Sequence, residues 1–284
     1  LVPGQSLALR TDAINLAFLG QVALNSGMLG ANARTDLLGF APGGTLRNVD
    51  LFVPLDSETE QMFSVRGNLD NVEIGSVRGS PNMWGIDGYF EALFDPGTRN
   101  VSGAIEVESD NYSMNIPNVF TRVWDYDYVN GRLEFRVDLS DGQDVWLRSG
   151  IIVAESDAMD GRVQFQSRML QSADGERDAE LDLIIAASRV DAELKSLYLP
   201  DGPRIEPDLR SSMEFLERAI IDGIVYDSAA IFRGNTLAGS GPNAKTFQSS
   251  FQLRDGVLEF SPDWPQLERL AAAVFTSDND VDIA

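Results

Sequence analysis

A short motif that recurs along the chain constrains its fold more than any other feature. It consists of a polar residue, a glycine and then apolar residues at every second position. It occurs at Asn130-Gly131, Asp160-Gly161 and Asp255-Gly256, and in looser form at Asp87-Gly88 and Ser102-Gly103. Asn-Gly and Asp-Gly supply the positive φ of two-residue hairpin turns, and the alternation is typical of a strand with one apolar face. The motif therefore predicts a long antiparallel meander with hairpin turns at these positions.

The residues after the glycines alternate in a way that gives each strand one apolar face. Leu133, Phe135 and Val137 fall on one side of a strand, and Arg132 and Glu134 fall on the other. The same reasoning predicts strands at roughly 45–55, 62–74, 84–94, 101–108, 111–116, 131–139, 144–154, 161–170, 179–190, 224–233, 246–254, 257–260, 271–275 and 281–283.

Three segments interrupt the strand pattern. Between residues 12 and 39 the spacing predicts one helix with Asp12 as its N-cap and a second helix that closes before Pro42. Residues 117–123 predict a single turn. The strongest helix runs from Pro207 to Gly223, with Leu216 on its apolar side. We divide the chain into a helical lead-in (1–44), a β segment (45–191) and a helix-plus-β segment (192–284) of one continuous architecture.

The size of the predicted sheet limits the possible architectures. About a dozen strands spaced about 4.8 Å apart form a sheet about 60 Å across. A helix of about 16 residues is about 24 Å long and about 10 Å wide, so the helices cannot cover the whole apolar face. The sheet either packs onto itself as a sandwich or barrel, or stays open as a groove that holds something apolar. Composition alone favours the self-packed sandwich.

Composition excludes several classes of function. The chain has no cysteine and no histidine, which removes Ser-His-Asp triads, Cys-His pairs and the common zinc and iron sites. Its net charge of -22 argues against nucleic acid as a partner. Asp125 and Asp127 lie among aromatic residues, but sequence neighbours on one strand seldom reach the carboxylate separation of a glycosidase. We predict no catalytic residue, no metal ligand and no cofactor, and therefore no enzyme.

The C-terminal third carries an ordered series of short motifs. Leu197-Tyr198-Leu199-Pro200 precedes the strongest helix, Arg233-Gly234 follows it, and residues 255–260 lead into Ser261-Pro262-Asp263-Trp264-Pro265. Upstream, Pro42-Gly43-Gly44 opens a predicted strand, and Asn118-Val119-Phe120 lies in the predicted turn. In this order the motifs resemble the YhdP family of AsmA-like proteins, and the similarity extends from about Gln5 to the end of the chain.

The resemblance implies both a fold and a function. Members are anchored in the inner membrane of Gram-negative bacteria, and a long β-groove in the periplasm carries phospholipid to the outer membrane. The expected fold is mainly β, a long twisted antiparallel meander curved into a partly open groove, with two to three short helices. The chain is then a piece of a longer protein. Its expected partners are phospholipid acyl chains and other segments of that protein, and membrane contact is left to parts outside these 284 residues.

The candidate lipid-contacting residues are apolar positions on the predicted inner faces of the strands. They are Phe90, Ile105, Leu133, Phe135, Val137, Val163, Phe165, Leu183, Phe251, Leu258 and Phe260. The alternative that the residues leave open is a carbohydrate-binding or adhesin-like β-sandwich with a closed core.

Overall fold

The described part of the chain forms one antiparallel sheet. A computed structural model of the protein describes residues 6–27, 30–55, 62–77, 80–139, 144–171, 177–203, 207–235, 245–259, 261, 263–277 and 280–284. They contain fourteen strands. These are β1 (Ser6–Asn15), β2 (Gly43–Pro54), β3 (Phe63–Ile74), β4 (Asn82–Asp95), β5 (Asn100–Asn115), β6 (Trp124–Asp138), β7 (Val145–Ser149), β8 (Ile152–Glu155), β9 (Met159–Gln171), β10 (Arg177–Asp191), β11 (Ile220–Asn235), β12 (Lys245–Leu258), β13 (Leu267–Ser277) and β14 (Asp280–Ile283).

The strands lie side by side in chain order, so the sheet is a meander. β7 and β8 are two parts of one line, because both pair with β6 and with β9, and Gly150 and Ile151 separate them. Among the described residues β1 pairs with β2 alone and β14 with β13 alone, so the sheet is not closed into a barrel. The predicted open meander is confirmed. A second sheet is missing from the described residues, which removes the basis for the closed sandwich.

The helices are short and lie at the margins of the sheet. They are α1 (Leu16–Asn25), α2 (Ala31–Phe40), a 3₁₀ helix (Ala192–Leu197) and α3 (Pro207–Ala219). Asp12 was predicted as the N-cap of the first helix, and this is wrong because residues 6–15 form an edge strand. The Asn15 side chain caps α1 instead, accepting a hydrogen bond from Phe18 N at 2.9 Å. α3 ends before Ile220, where pairing with Leu258 begins a new strand, and Gly223 lies inside that strand.

The polar-glycine pairs lie inside strands, so the prediction that they are hairpin turns is wrong. Gly131 is within β6, Gly161 within β9, Gly256 within β12, Gly88 within β4 and Gly103 within β5. At Gly131 a β-carbon would lie 2.9 Å from the Cα atom of Ile152, so glycine permits the close approach of β8. Gly88 has a φ of 147° next to a register shift between β4 and β5. These glycines serve close strand contacts and bulges.

Irregular positions recur near one end of the strands. Five asparagines and aspartates within strands adopt left-handed backbone angles, and they are Asn48, Asn71, Asn111, Asp227 and Asp255. All five lie beside shifts in strand register, the mark of a β-bulge. Bulges increase the local right-handed twist of a strand. The side chains at these positions therefore contribute to the twist of the sheet.

Two buried serines replace hydrogen bonds that the irregular strands lose. Ser109 is 0% exposed, and its Oγ accepts a hydrogen bond from Asp87 N at 2.8 Å and donates one to Asp87 O at 3.2 Å. Ser149 lies where β7 ends and makes the same pair of bonds to the backbone of Phe165, at 2.8 and 3.3 Å. Each hydroxyl therefore satisfies backbone groups that would otherwise be buried without a partner.

Candidate functional site: the apolar face of the sheet

One face of the sheet carries rows of apolar residues that run across the strands. Residues directly opposite each other on paired strands lie on the same face, so register partners can be followed from strand to strand. The central row begins in β1 and ends in β11. It consists of Leu9, Leu51, Val65, Ala92, Gly103, Phe135, Leu147, Ser167, Leu181 and Gly234.

Three further rows lie two or four residues away along the strands and complete this face. One consists of Phe63, Phe94, Val101, Val137, Val145 and Met169. The second consists of Gly67, Phe90, Ile105, Leu133, Ser149, Phe165, Leu183, Phe232 and Phe247. The third consists of Ile152, Val163, Ile185, Ala230, Ser249 and Thr276. We call the four rows together the apolar face.

The apolar face is uncharged and open to solvent. None of the residues in its four rows is charged, and the central row meets a charged residue only at its end, where Lys245 pairs with Gly234. Leu9, Met169, Ile185 and Phe247 are between 38% and 49% exposed. α1 packs on β1 and β2, and α3 on β11, so these helices leave most of the face uncovered. A contiguous exposed apolar surface of this kind marks a binding surface.

The opposite face carries ion pairs between neighbouring strands. Asp50 lies between Arg10 and Arg66, with its two oxygens 2.5 Å from Arg10 Nε and 3.1 Å from Arg66 Nη2. The hydrogen bond from Arg10 leads the interactions that hold the pKa of Asp50 below its usual value. Further pairs on adjacent strands are Arg47–Asp70, Arg132–Glu106 and Arg233–Asp182. This face is therefore suited to water, and the sheet has two chemically distinct sides.

A segment that leaves β10 lies across one end of the sheet. We call residues 192–202 the strap, since they leave β10 and reach back to the turn between β5 and β6. Asp201 accepts a hydrogen bond from Thr121 N at 2.7 Å, and Trp124 Nε1 donates to Leu197 O at 2.6 Å. The backbone nitrogens of Asp201 and Gly202 donate to Val119 O at 3.1 and 2.9 Å. These bonds fasten the strap to the turn between β5 and β6, although Asp201 lies 80 residues after Thr121 in the sequence.

A cluster of buried apolar side chains lies near the strap, since Trp124, which donates to Leu197 O, packs against it. A cluster of Val72, Ile86, Tyr112, Tyr126 and Val129 is between 5% and 7% exposed. The Tyr112 and Tyr126 rings have centroids 6.4 Å apart. The buried cluster of the sheet is therefore at the end where the strap lies.

Comparison with known proteins assigns the chain to a family. The family model described as YhdP protein matches residues 1–284, which is the whole chain. The chain belongs to the YhdP family. This confirms the resemblance found in the sequence motifs. No curated protein and no solved structure matches the chain significantly.

The structure of this YhdP-family chain places most of the predicted lipid-contacting residues on the apolar face. Phe90, Ile105, Leu133, Phe165 and Leu183 are members of one row. The central row contains Phe135, and the other two rows contain Val137 and Val163. Phe251 pairs with Val274, and Leu258 pairs with Ile220 and Leu267. Phe260 lies outside the described residues. Contact with lipid stays a prediction for all of them.

The sequence motifs missed two parts of the site in this YhdP-family chain. The first is the set of apolar residues on β1, β2 and β3, such as Leu9, Leu51 and Val65, for which the period of two was a usable signal. The second is the pair Tyr112 and Tyr126. Nothing in their spacing separates them from ordinary strand residues, because their burial depends on the strap and on neighbouring strands.

In the part of the YhdP-family chain that the structure describes, no three His, Cys, Asp or Glu side chains are placed to hold a metal ion. Within the same residues, no helix is both long and apolar enough to cross a membrane.

Proposed function

We propose that this chain is a segment of a bridge that carries phospholipid between the inner and outer membranes. The observation that carries the proposal is the apolar face, which extends from Leu9 in β1 to Thr276 in β13 and stays open for most of its length. Membership of the YhdP family supports it. The chain would lie in the periplasm, and parts of the protein outside it would provide the anchor in the inner membrane.

The physical basis of carriage is the burial of acyl chains against the apolar face. Burying a methylene group contributes about 0.8 kcal/mol, so a chain of many methylenes is held without any specific polar contact. The four rows hold no charged residue, so an acyl chain that slides along them displaces no bound water from a charge. The charged headgroup stays at the open side in water, because burying it would cost several kcal/mol. No bond is made or broken, so the proposed activity is not enzymatic.

The proposal is tested by measuring lipid bound to matched variants. Phe165 lies on the apolar face, and the adjacent Gln164 is exposed on the opposite side of the same strand. The chain is purified from a Gram-negative host as wild type, Phe165→Asp and Gln164→Asp, and bound phospholipid is extracted and quantified by mass spectrometry. We expect wild type and Gln164→Asp to carry similar amounts and Phe165→Asp to carry at least tenfold less, because lipid must then desolvate a carboxylate.

The fold of each variant is checked by thermal unfolding followed by circular dichroism. Because Phe165 faces an open surface, its replacement by aspartate leaves the new carboxylate in water when lipid is absent, and a cooperative transition is expected. Wild-type protein that folds but carries no phospholipid would overturn the proposal. Equal lipid on Phe165→Asp and Gln164→Asp would also overturn it, because the two variants add the same charge to opposite faces.

A further inference from the structure

Two tyrosine hydroxyls near the strap are buried without a hydrogen-bond partner. Tyr112 in β5 and Tyr126 in β6 are register partners, and each is 7% exposed. Among the described residues, neither hydroxyl donates or accepts a hydrogen bond. Buried polar groups in proteins are nearly always hydrogen-bonded, so a buried donor without a partner requires an explanation. The other buried polar side chains in the described part of the sheet, those of Ser109, Asn115 and Ser149, are hydrogen-bonded.

The two hydroxyls remain donors at any physiological pH. Burial raises the pKa of Tyr112 and of Tyr126 far above the usual value for tyrosine. Tyr198, on the strap, and Tyr112 raise the pKa of Tyr126 further. Burial also raises the pKa of Tyr198, although a hydrogen bond with Ser156 opposes the effect. Tyr112 and Tyr126 therefore offer two protonated hydroxyls in one apolar region.

The surroundings of the pair determine which acceptor fits them. The buried cluster around the pair consists of Val72, Ile86 and Val129, with Val107 and Ile152 packed against it. A charged acceptor such as phosphate would be desolvated there without a cation beside it, at a high cost. A neutral carbonyl oxygen has two lone pairs and can accept from both hydroxyls. Val107 lies two residues after Ile105 on β5, and Ile152, the register partner of Val163, is itself part of the apolar face. The cluster therefore adjoins that face.

We propose that the hydroxyls of Tyr112 and Tyr126 donate hydrogen bonds to an ester carbonyl of a diacyl lipid whose acyl chain lies on the apolar face. This inference rests on the proposed function. It adds a polar anchor near the strap to a surface that otherwise holds acyl chains without fixing their position. An ester carbonyl fits because it is neutral and directly joined to an acyl chain. The tyrosine pair then fixes the position along the apolar face at which a bound lipid stops.

The test compares ester and ether lipids on matched variants of the whole chain. The proteins are wild type, Tyr112→Phe, Tyr126→Phe, the double variant, and Tyr89→Phe as a control from the opposite side of the sheet. Binding of diacyl phosphatidylethanolamine and of its dialkyl ether analogue is measured for each. We expect each hydroxyl that is removed from Tyr112 or Tyr126 to weaken binding of the diacyl lipid about 3- to 10-fold. Wild type and Tyr89→Phe should bind this lipid with the same, higher affinity. All the proteins should bind the ether lipid equally.

A second readout excludes a structural water as the missing partner. Removing a hydroxyl that has no partner should leave the melting temperature of the lipid-free protein unchanged or higher. A lower melting temperature for both Tyr112→Phe and Tyr126→Phe would show that bound water already satisfies the hydroxyls, and would overturn the inference. Equal affinity of wild type for the ester and ether lipids would overturn it while leaving the proposed function intact. Failure of wild type to bind either lipid would overturn the proposed function itself.

Discussion

Replacing Ser109 by alanine tests how the sheet stabilises its irregular strands. The Ser109 hydroxyl holds both the N–H and the C=O of Asp87, and the side chain is 0% exposed, so water cannot take its place. Leaving buried backbone groups without a partner costs about 1–3 kcal/mol. A chain of 284 residues has an unfolding entropy of about 0.6 kcal/mol/K, taken as about 2.1 cal/mol/K per residue. Dividing the free-energy cost by this unfolding entropy predicts that Ser109→Ala lowers the melting temperature by about 2–5 °C.

The assay is thermal unfolding followed by circular dichroism, with a second serine as control. Ser113 donates a hydrogen bond to Asp125 Oδ1 at 2.6 Å in an exposed position, so Ser113→Ala should lower the melting temperature by less than about 1 °C. Ser149→Ala, which removes the same kind of buried bonds, should behave like Ser109→Ala. If Ser109→Ala and Ser113→Ala have the same melting temperature, the Ser109 hydroxyl does not support the backbone at the bulge, and the reasoning fails.

Two further predictions concern the elements at the margins of the sheet. Leu216 on α3 is half-buried and Glu217 is exposed, so Leu216→Asp should lower the melting temperature by several degrees and Glu217→Gln should not. Equal thermal unfolding curves for the two variants would show that α3 does not pack on the sheet. Burial acts to raise the pKa of Asp201, but hydrogen bonds, chiefly from Thr121, outweigh it and hold the pKa below its usual value. The strap should therefore be fully stable above the unfolded pKa of about 4 and become looser as the pH falls through the lower folded value. Hydrogen exchange should detect this, and Asp201→Asn should abolish the dependence.

The faces of the strands could be predicted from the sequence because side chains alternate strictly along a strand. Phe165 was assigned to an inner face from spacing alone, and the structure places it and Gln164 on opposite sides of β9. The same period placed Phe135 and Val137 correctly. The identity of cross-strand neighbours was not predictable, since it depends on the register that bulges and turns impose. Gly103 beneath Phe135 is one example of a contact that only the paired strands create.

The error about turns has a physical cause in the residues themselves. Asparagine, aspartate and glycine tolerate left-handed backbone angles, which hairpin turns and β-bulges both require. Asn111 has a φ of 58° inside β5, where the sequence predicted a break between two strands. The local signal was therefore real, but it marked an irregularity inside a long strand. Tyr112, the next residue, could not be predicted as buried for the same reason.

The neighbour-to-neighbour pairing of this meander has a consequence for how the chain folds. Each new strand joins the edge left by strands already made, so a chain that emerges N-terminus first need not wait for a distant partner. The strap is the exception, because Thr121 meets Asp201 80 residues later in the chain. Closing so long a loop costs entropy that is recovered only when β10 has joined the sheet. Assembly should therefore be vectorial, with the strap fastening only after the tenth strand is in place.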